Sequence, residues 1–371
     1  MSNMTSRSGH AGAIRPLERG DLPQAAASIS GGRSSAALAA FLEETLFDHP
    51  WADPEIPSLV YEDKGEIVGT IGASTRRMRF EGRPLRVVVS AYLWSHPRVR
   101  ERGIGARLLR TLFAGPQELT ITDGATDTVR RMWETLGGRT VHLNCFSFVR
   151  VFRPWRLGAE RVLARRLSRF GSLVGPASTP FDVITTRIAR PRLAPITPEG
   201  EIEPLTPTAM VEHLTSVTAS TRLHADYDSP YLEWLFARLD EIDRHRLPWL
   251  DGSECGAVWA ELVRNKGRVL GWYVCQFRPG SLCRVLQIAA ADRRAPEVVQ
   301  HLYSRAWKRG ASAVVGRLEP RLVAPLARER GFVRYAQSGR MLVHAKDADV
   351  VGAVLSGDAL LTRLDGEWWV S

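Results

Sequence analysis

Leu85-Arg86-Val87-Val88-Val89-Ser90-Ala91-Tyr92-Leu93-Trp94-Ser95, then His96-Pro97-Arg98-Val99, then Arg100-Glu101-Arg102-Gly103-Ile104-Gly105-Ala106: this stretch decides how the chain reads. The first run is dense in β-branched and aromatic residues, which predicts a strand. From Ile104 onward the apolar residues fall at 104, 108, 109, 112 and 113, a helical spacing. A strand, a short glycine-bearing turn and a helix therefore follow one another. The first turn of a helix leaves about four backbone N–H groups without intrahelical acceptors. The aligned peptide dipoles add roughly half a positive charge there, and glycines let an anion approach the backbone with no Cβ in the way. The result is a cradle for phosphate. Arg100, Arg102 and Arg107 add charge around it.

Working outward, Ala13–Leu17 reads as a short strand and Asp21 as the cap of a helix entered through Pro23. Leu38, Phe41, Leu42 and Leu46 mark a second helix. Residues 58–62 and 66–72 flank Asp63-Lys64-Gly65 as a hairpin, with the second strand continuing to Phe80. Past the cradle come a strand at 119–122, a helix at 126–136 and strands at about 140–143 and 146–152. This order predicts an α+β, or mixed α/β, fold around one sheet. The second half repeats it. Ile202-Glu203-Pro204-Leu205 echoes Ile14-Arg15-Pro16-Leu17, and strands around Asn265-Lys266-Gly267 echo the first hairpin. Residues 282–290, 298–309 and 322–332 echo the later strand and helices. The expected organisation is a flexible terminus (1–12), a first domain (13–155), a basic helix and Pro-rich linker (156–198), a second domain (199–346) and a docked tail (347–371).

Several phosphate-binding turns compete for the motif. A P-loop needs Lys-Ser/Thr after its second glycine, where this chain has Ala106-Arg107. A dinucleotide fingerprint follows the first strand of a domain, and this turn follows roughly the fourth. A glycine-started helix with no ligand is the bland alternative. Arg100, Gly103 and Gly105 fill all three defined positions of the pattern Arg/Gln-x-x-Gly-x-Gly/Ala, so the segment resembles motif A of the GNAT acyltransferase superfamily. The resemblance covers roughly 13–153 and, more weakly, 201–345. It implies two tandem GNAT-like domains and an acyl-CoA co-substrate, acetyl-CoA or another, with no metal. It places the pyrophosphate on the amides of Arg102, Gly103, Ile104, Gly105 and Ala106, and the pantetheine arm beside Leu93, Trp94 and Ser95. It also implies direct attack of an acceptor amine on the thioester. The second half has Ala291-Asp292-Arg293-Arg294-Ala295-Pro296-Glu297 at the matching turn, without glycine and with two carboxylates, so it is expected to bind no cofactor.

The chain departs from the family at both usual proton-transfer positions. Where many members carry a tyrosine in the later helix, this one has Trp133 beside the expected cofactor, and the strand before the motif has neither Glu nor His near Ser90. Tyr92 and Asp123 are the substitutes chosen as catalytic candidates, against the alternatives of a sheet aromatic and a helix-entry cap. His96 reads as a turn residue, Glu62 as a strand-end carboxylate, and Cys145 lacks a suggested histidine partner. The run His224–Trp234 is a candidate lining for an acceptor cleft between the halves, or an ordinary capped helix.

The 371 residues carry 44% hydrophobic and 24% charged side chains, which excludes collagen-like, disordered and coiled-coil classes. No run approaches the roughly 18 apolar residues of a membrane span. No signal-peptide pattern opens the chain, and four cysteines make no disulfide framework or zinc spacing. A cytoplasmic protein is expected. The formal charge of +10 is concentrated: residues 150–192 hold ten arginines against Glu160 and Asp182. Membrane-surface or nucleic-acid attachment through Arg150–Arg169 is weighed against a connector helix, and the connector is preferred. The sequence thus predicts an N-acetyltransferase acting on a small-molecule amine, as a monomer or homodimer. The alternatives are a non-catalytic acyl-CoA-binding or regulatory protein, and a transferase with another acyl donor acting on a cell-envelope or polysaccharide precursor.

Overall fold

The computed structural model describes residues 12–31, 35–158, 193–245, 256–335 and 339–366. All but the first two residues of the basic helix expected from Leu157 to Phe170, and most of the Pro-rich connector, lie outside them. In chain order the first half contains β1 (Ala13–Pro16), α1 (Leu22–Ser30), α2 (Ser35–Leu46), β2 (Leu59–Asp63), β3 (Glu66–Phe80) and β4 (Arg83–Ser95). It continues through α3 (Ile104–Phe113), β5 (Leu119–Ala125), α4 (Asp127–Thr135), β6 (Arg139–Thr140) and β7 (Phe146–Val151). The second half contains β8 (Glu201–Pro204), α5 (Pro207–Thr218), β9 (Leu223–Ala225), α6 (Ser229–His245), β10 (Ala257–Asn265), β11 (Arg268–Phe277) and β12 (Leu282–Ala290). Then come α7 (Ala295–Lys308), β13 (Ala313–Arg317), α8 (Val323–Arg328), β14 (Phe332–Tyr335), β15 (Arg340–Ala345), α9 (Ala348–Ser356) and β16 (Ala359–Leu360). The mixed α/β class and the repeated order read from the sequence are both present. Each hairpin turns on a Lys-Gly pair in the left-handed region, Lys64 (φ 55°) with Gly65 (80°) and Lys266 (49°) with Gly267 (76°). Two left-handed central residues give the turn whose twist suits adjoining antiparallel strands.

The two sheets are not self-contained. The first runs β1-β2-β3-β4-β5-β15-β6 and the second β14-β7-β13-β12-β11-β10-β8. Read from β1 and from β8, the two paths have the same arrangement, and in each the last strand but one comes from the other half. β15 inserts antiparallel between β5 and β6, pairing Leu342 with Thr122 and with Thr140. β7 inserts between β13 and β14, pairing Phe148 with Gly316 and with Val333. Each half lends the other this inserted strand, and the first sheet takes β9, paired with β3, and β16, paired with β9, from the second half as well. Alternation along single strands gave no warning, because an apolar strand reads the same whichever sheet receives it.

One apolar core accordingly spans both halves, joining Val87, Val89 and Ile121 to Tyr227, Leu235, Trp272 and Leu364. Ala225, Tyr227, Tyr231 and Leu232 of the run 224–234 belong to it, whereas Pro230 and Glu233 are exposed. Tyr231 stacks on Trp51 with centroids 3.5 Å apart, Tyr227 stacks on Tyr231 at 6.3 Å, and both tyrosines are buried. That run closes the space between the halves instead of lining an open cleft. The helix alternative holds as well: Asp228 Oδ1 accepts from the Tyr231 N–H at 2.9 Å, while its Oδ2 accepts from Trp51 Nε1 at 2.9 Å. Asp21, by contrast, makes no side-chain cap of α1; its carboxylate pairs with Arg15 and accepts from the Glu18 N–H. α3 and α4 pack on the opposite face of the first sheet, around Val88, Phe113 and Trp133. No helix among the described residues is long and apolar enough to cross a membrane.

His49 belongs to the inter-half core, its Nδ1 accepting from the Trp51 N–H at 3.2 Å. Burial, then the nearby Arg76 charge, push its pKa down to about 3. A histidine near 6.5 when unfolded and near 3 when folded takes up protons only on unfolding between those values, so stability is full above 6.5 and falls as the pH drops toward 3. At pH 5 the loss from this group is about 2 kcal/mol. His49→Gln, which keeps an acceptor, is expected to flatten the urea-midpoint profile between pH 7 and 5. An unchanged slope would place the acid sensitivity elsewhere.

Candidate functional site

β4 and β5 pair in parallel only from Val87–Leu119 to Val89–Ile121. Beyond that point β4 continues to Ser95 and β5 to Ala125, with β5 turned to β15 on its other side. The strands therefore part, and the edge of β4 from Ser90 to Ser95 faces the gap. The α3 N-terminus stands at the same end, since β4 leads to it through a 3-10 turn at Pro97–Arg102. His96 caps that turn, its Nδ1 accepting from the Arg98 N–H at 3.1 Å, which agrees with the turn reading and leaves it no separate task.

Gly103 joins the turn to α3 at φ 67°, a left-handed conformation open to glycine at little cost, and no atom lies within 4 Å of where its Cβ would stand. Its own N–H donates to Arg100 O at 3.2 Å, and the first helical bond runs from Arg107 N–H to Gly103 O at 3.1 Å. The N–H groups of Ile104, Gly105 and Ala106 are therefore the ones that a helix start leaves without intrahelical acceptors. Gly103, whose donor is engaged by Arg100 O, is not among them. Gly105 lies between Leu93 and Met132, either within 4 Å of a Cβ built on it. Arg102 pairs with Asp63, holding that carboxyl below its usual range, and Arg107 donates to Tyr61 Oη at 3.1 Å with its guanidinium 5.0 Å from the ring centroid. Both are turned toward β2. Arg100 is exposed, and among the described residues its guanidinium makes no hydrogen bond or ion pair. Of the three arginines it alone is without such a partner among the described residues.

Residues 28–122 match the model of the acetyltransferase (GNAT) family. This segment is a GNAT acetyltransferase domain. It contains α2, the hairpin, the cradle and the parting of β4. Solved structures of the same fold include a conserved protein of unknown function from Enterococcus faecalis V583 described as a probable N-acyltransferase. It is 9% identical, with a TM-score of 0.55 over 90% of this chain and 73% of that one. GCN5-related N-acetyltransferases from Kribbella flavida and from Anabaena variabilis ATCC 29413 are 14% and 9% identical, with TM-scores of 0.53 and 0.55. They cover 93% and 91% of this chain, and 73% and 74% of their own. No curated protein matches the sequence.

Leu93, Trp94 and Ser95 end β4 at the parting, with Trp94 edge-on to His96. Tyr92 stands where β4 bulges against β3 between Thr70 and Gly72, at φ 52°, and its carbonyl accepts from Thr70 Oγ1 at 3.0 Å. A left-handed aromatic inside a strand is strained, and such strain concentrates where geometry serves a function. Trp133 is fully buried, edge-on to Phe113 at 4.8 Å. The place where the resemblance would seat a proton donor holds a core indole. Trp133→Phe is expected to leave turnover within a few-fold while costing about 1–3 kcal/mol of stability through the void it leaves. A hundredfold loss of rate with donor affinity kept would show that the indole acts in the reaction.

Asp123 is buried at the start of the parting and forms an ion pair with Arg317 of β13. It does not cap α4; Thr126 does, accepting from the Val129 N–H at 3.4 Å. Arg317 and Gly366, whose Cβ would stand 2.3 Å from Asp123 Oδ2, are neighbours that local sequence could not reveal. They come from the other half and the tail, and the available signal was the one charged residue of its strand.

Proposed function

We propose that the first half binds one acyl-CoA, with acetyl-CoA as the donor, and transfers its acyl group to the amine of a small molecule in the cytoplasm. The observation that carries this reading is the coincidence of a parted β4 edge with a glycine-opened helix start and an unengaged arginine. The pyrophosphate would lie on the N–H groups of Ile104, Gly105 and Ala106 beside Arg100, where helix polarity and charge favour an anion. The pantetheine arm would extend along β4 at Leu93–Ser95. The donor supplies an activated thioester; the amine nitrogen forms the C–N bond as the C–S bond breaks, one proton leaves the nitrogen and the sulfur departs as the thiol. Tyr92 is the proton donor proposed for the sulfur.

Calorimetric titration of acetyl-CoA, free CoA and a long-chain acyl-CoA tests the reading. Micromolar binding of a donor at one site per chain supports it; no binding of any of the three ends it. Tyr92→Phe is expected to lower the transfer rate at least tenfold with donor affinity within about threefold. Equal loss of both would make the ring a packing element. A second reading, a non-catalytic acyl-CoA-binding protein, draws on the buried Trp133, and binding without turnover across an amine panel would favour it. A donor other than acetyl-CoA, used on a cell-envelope precursor, would appear as preference within the donor panel.

A further inference from the structure

The parting of strands occurs twice. β12 and β13 pair in parallel from Leu282–Ala313 to Arg284–Val315 only, and β12 then runs on to Ala290. Leu286 and Ile288 lie two and four residues beyond the last parallel pair, on the stretch of β12 that faces this parting. In the second half those two edge carbonyls are already taken. The Leu364 N–H donates to Leu286 O at 3.1 Å, and the Arg321 guanidinium donates to Ile288 O.

The segment that delivers Leu364 is locked from both sides. β16 lies parallel to β9, pairing Ala359 with Leu223. Asp365, buried, accepts from the Thr362 N–H at 3.1 Å, from Thr362 Oγ1 at 2.6 Å and from the Tyr227 hydroxyl. Gln287 Nε2 donates to Tyr227 Oη at 3.1 Å and to Thr362 Oγ1 at 3.2 Å, and Trp272 Nε1 donates to Gln287 Oε1 at 2.7 Å. A buried network this fully satisfied fixes one arrangement of its parts. One residue on, Gly366 reaches the Asp123 carboxylate at the parting of the first sheet, so close that any Cβ would collide with it.

We propose that Leu361–Gly366 is a built-in occupant of the second half's parting, and that from this seat it acts as a positioning strap for the acyl-transfer site, holding Asp123 against Arg317 at the first parting. The proposal rests on the acyl-transfer reading for its catalytic consequence, and on the strand geometry alone for its occupancy. It gives a physical reason for one cofactor site per chain. The second groove lacks a glycine cradle, and its edge carbonyls are taken by the Leu364 N–H and the Arg321 side chain.

The test uses the full-length chain with Gly366→Val, and Gly366→Ala as the milder variant should the first not fold. Donor affinity and turnover of the unaltered protein are measured first, so failure of the acyl-transfer reading registers before any variant is judged. Amide hydrogen exchange then reports on the strap independently of activity. Exchange at Leu364 and across Ile121–Ala125 should rise together, at least tenfold, in the variant. Turnover should fall at least tenfold with acetyl-CoA affinity within threefold. A rise at Leu364 with Ile121–Ala125 unmoved and turnover unchanged would overturn the positioning role. Protection at Leu364 no greater than that of an exposed amide in the unaltered protein would overturn the occupancy itself.

Discussion

Gly103→Asp should abolish acyl-CoA binding, with affinity falling at least a hundredfold, while the melting temperature stays within a few degrees of the parent. The two halves of that expectation have separate causes. Gly103 is exposed, nothing lies within 4 Å of a Cβ placed on it, and its φ of 67° is a conformation that aspartate tolerates better than most residues. A carboxylate beside a helix N-terminus also favours the helix, by about 0.3–1 kcal/mol. The fold therefore has little to lose. The ligand has much to lose, because the carboxylate occupies the anion's place and repels the pyrophosphate. Isothermal calorimetry paired with thermal unfolding separates the effects. Unchanged affinity would remove the cradle from the site, and lost affinity with a collapsed melting temperature would mean only that the turn had been broken.

The second large effect is on stability. Phe148→Ala should cost about 3–5 kcal/mol, the usual range for emptying a buried phenylalanine site, out of a total that for most proteins is about 5–15 kcal/mol. Phe148 is fully buried on β7, between β13 and β14. It belongs by sequence to the first half and by packing to the second. Because β15 ties the second half into the first sheet in the same way, denaturation should remain one transition that lowers protection on Val87–Val89 as well as on Leu282–Ala290. If the β12 amides were released at a denaturant concentration where the β4 amides stay protected, the halves would be energetically independent despite the exchange.

What the sequence made legible was local. The strand to Ser95, the glycine turn, the amphipathic face of α3, both Lys-Gly hairpins and the repeated order all follow from periodicity and turn chemistry, which act over a dozen residues. The destination of β7 and β15 was not legible, since choosing between two equivalent sheets depends on contacts between the halves. The same limit governed the site. Gly103, Gly105 and Arg100 announced themselves through spacing, whereas Arg102 and Arg107 looked equally available until Asp63 and Tyr61 were seen to hold them. Asp123 could be flagged as the one charged residue of its strand, but its ion pair with Arg317 spans the two halves.

The exchange of β7 and β15 also sets a timetable for the protein's birth. When β5 leaves the ribosome its free edge has no neighbour, and none exists until Arg340–Ala345 has been made. β7 emerges early and must wait for β13, which completes its pairing only after Arg317. For most of its synthesis the nascent chain thus displays an unfinished sheet with an unpaired edge, the feature that invites strands from other molecules. A chain that ends before Phe332 has neither sheet complete, and one that ends before Arg340 still lacks β15 from the first, so such truncations should give insoluble product instead of a working first half.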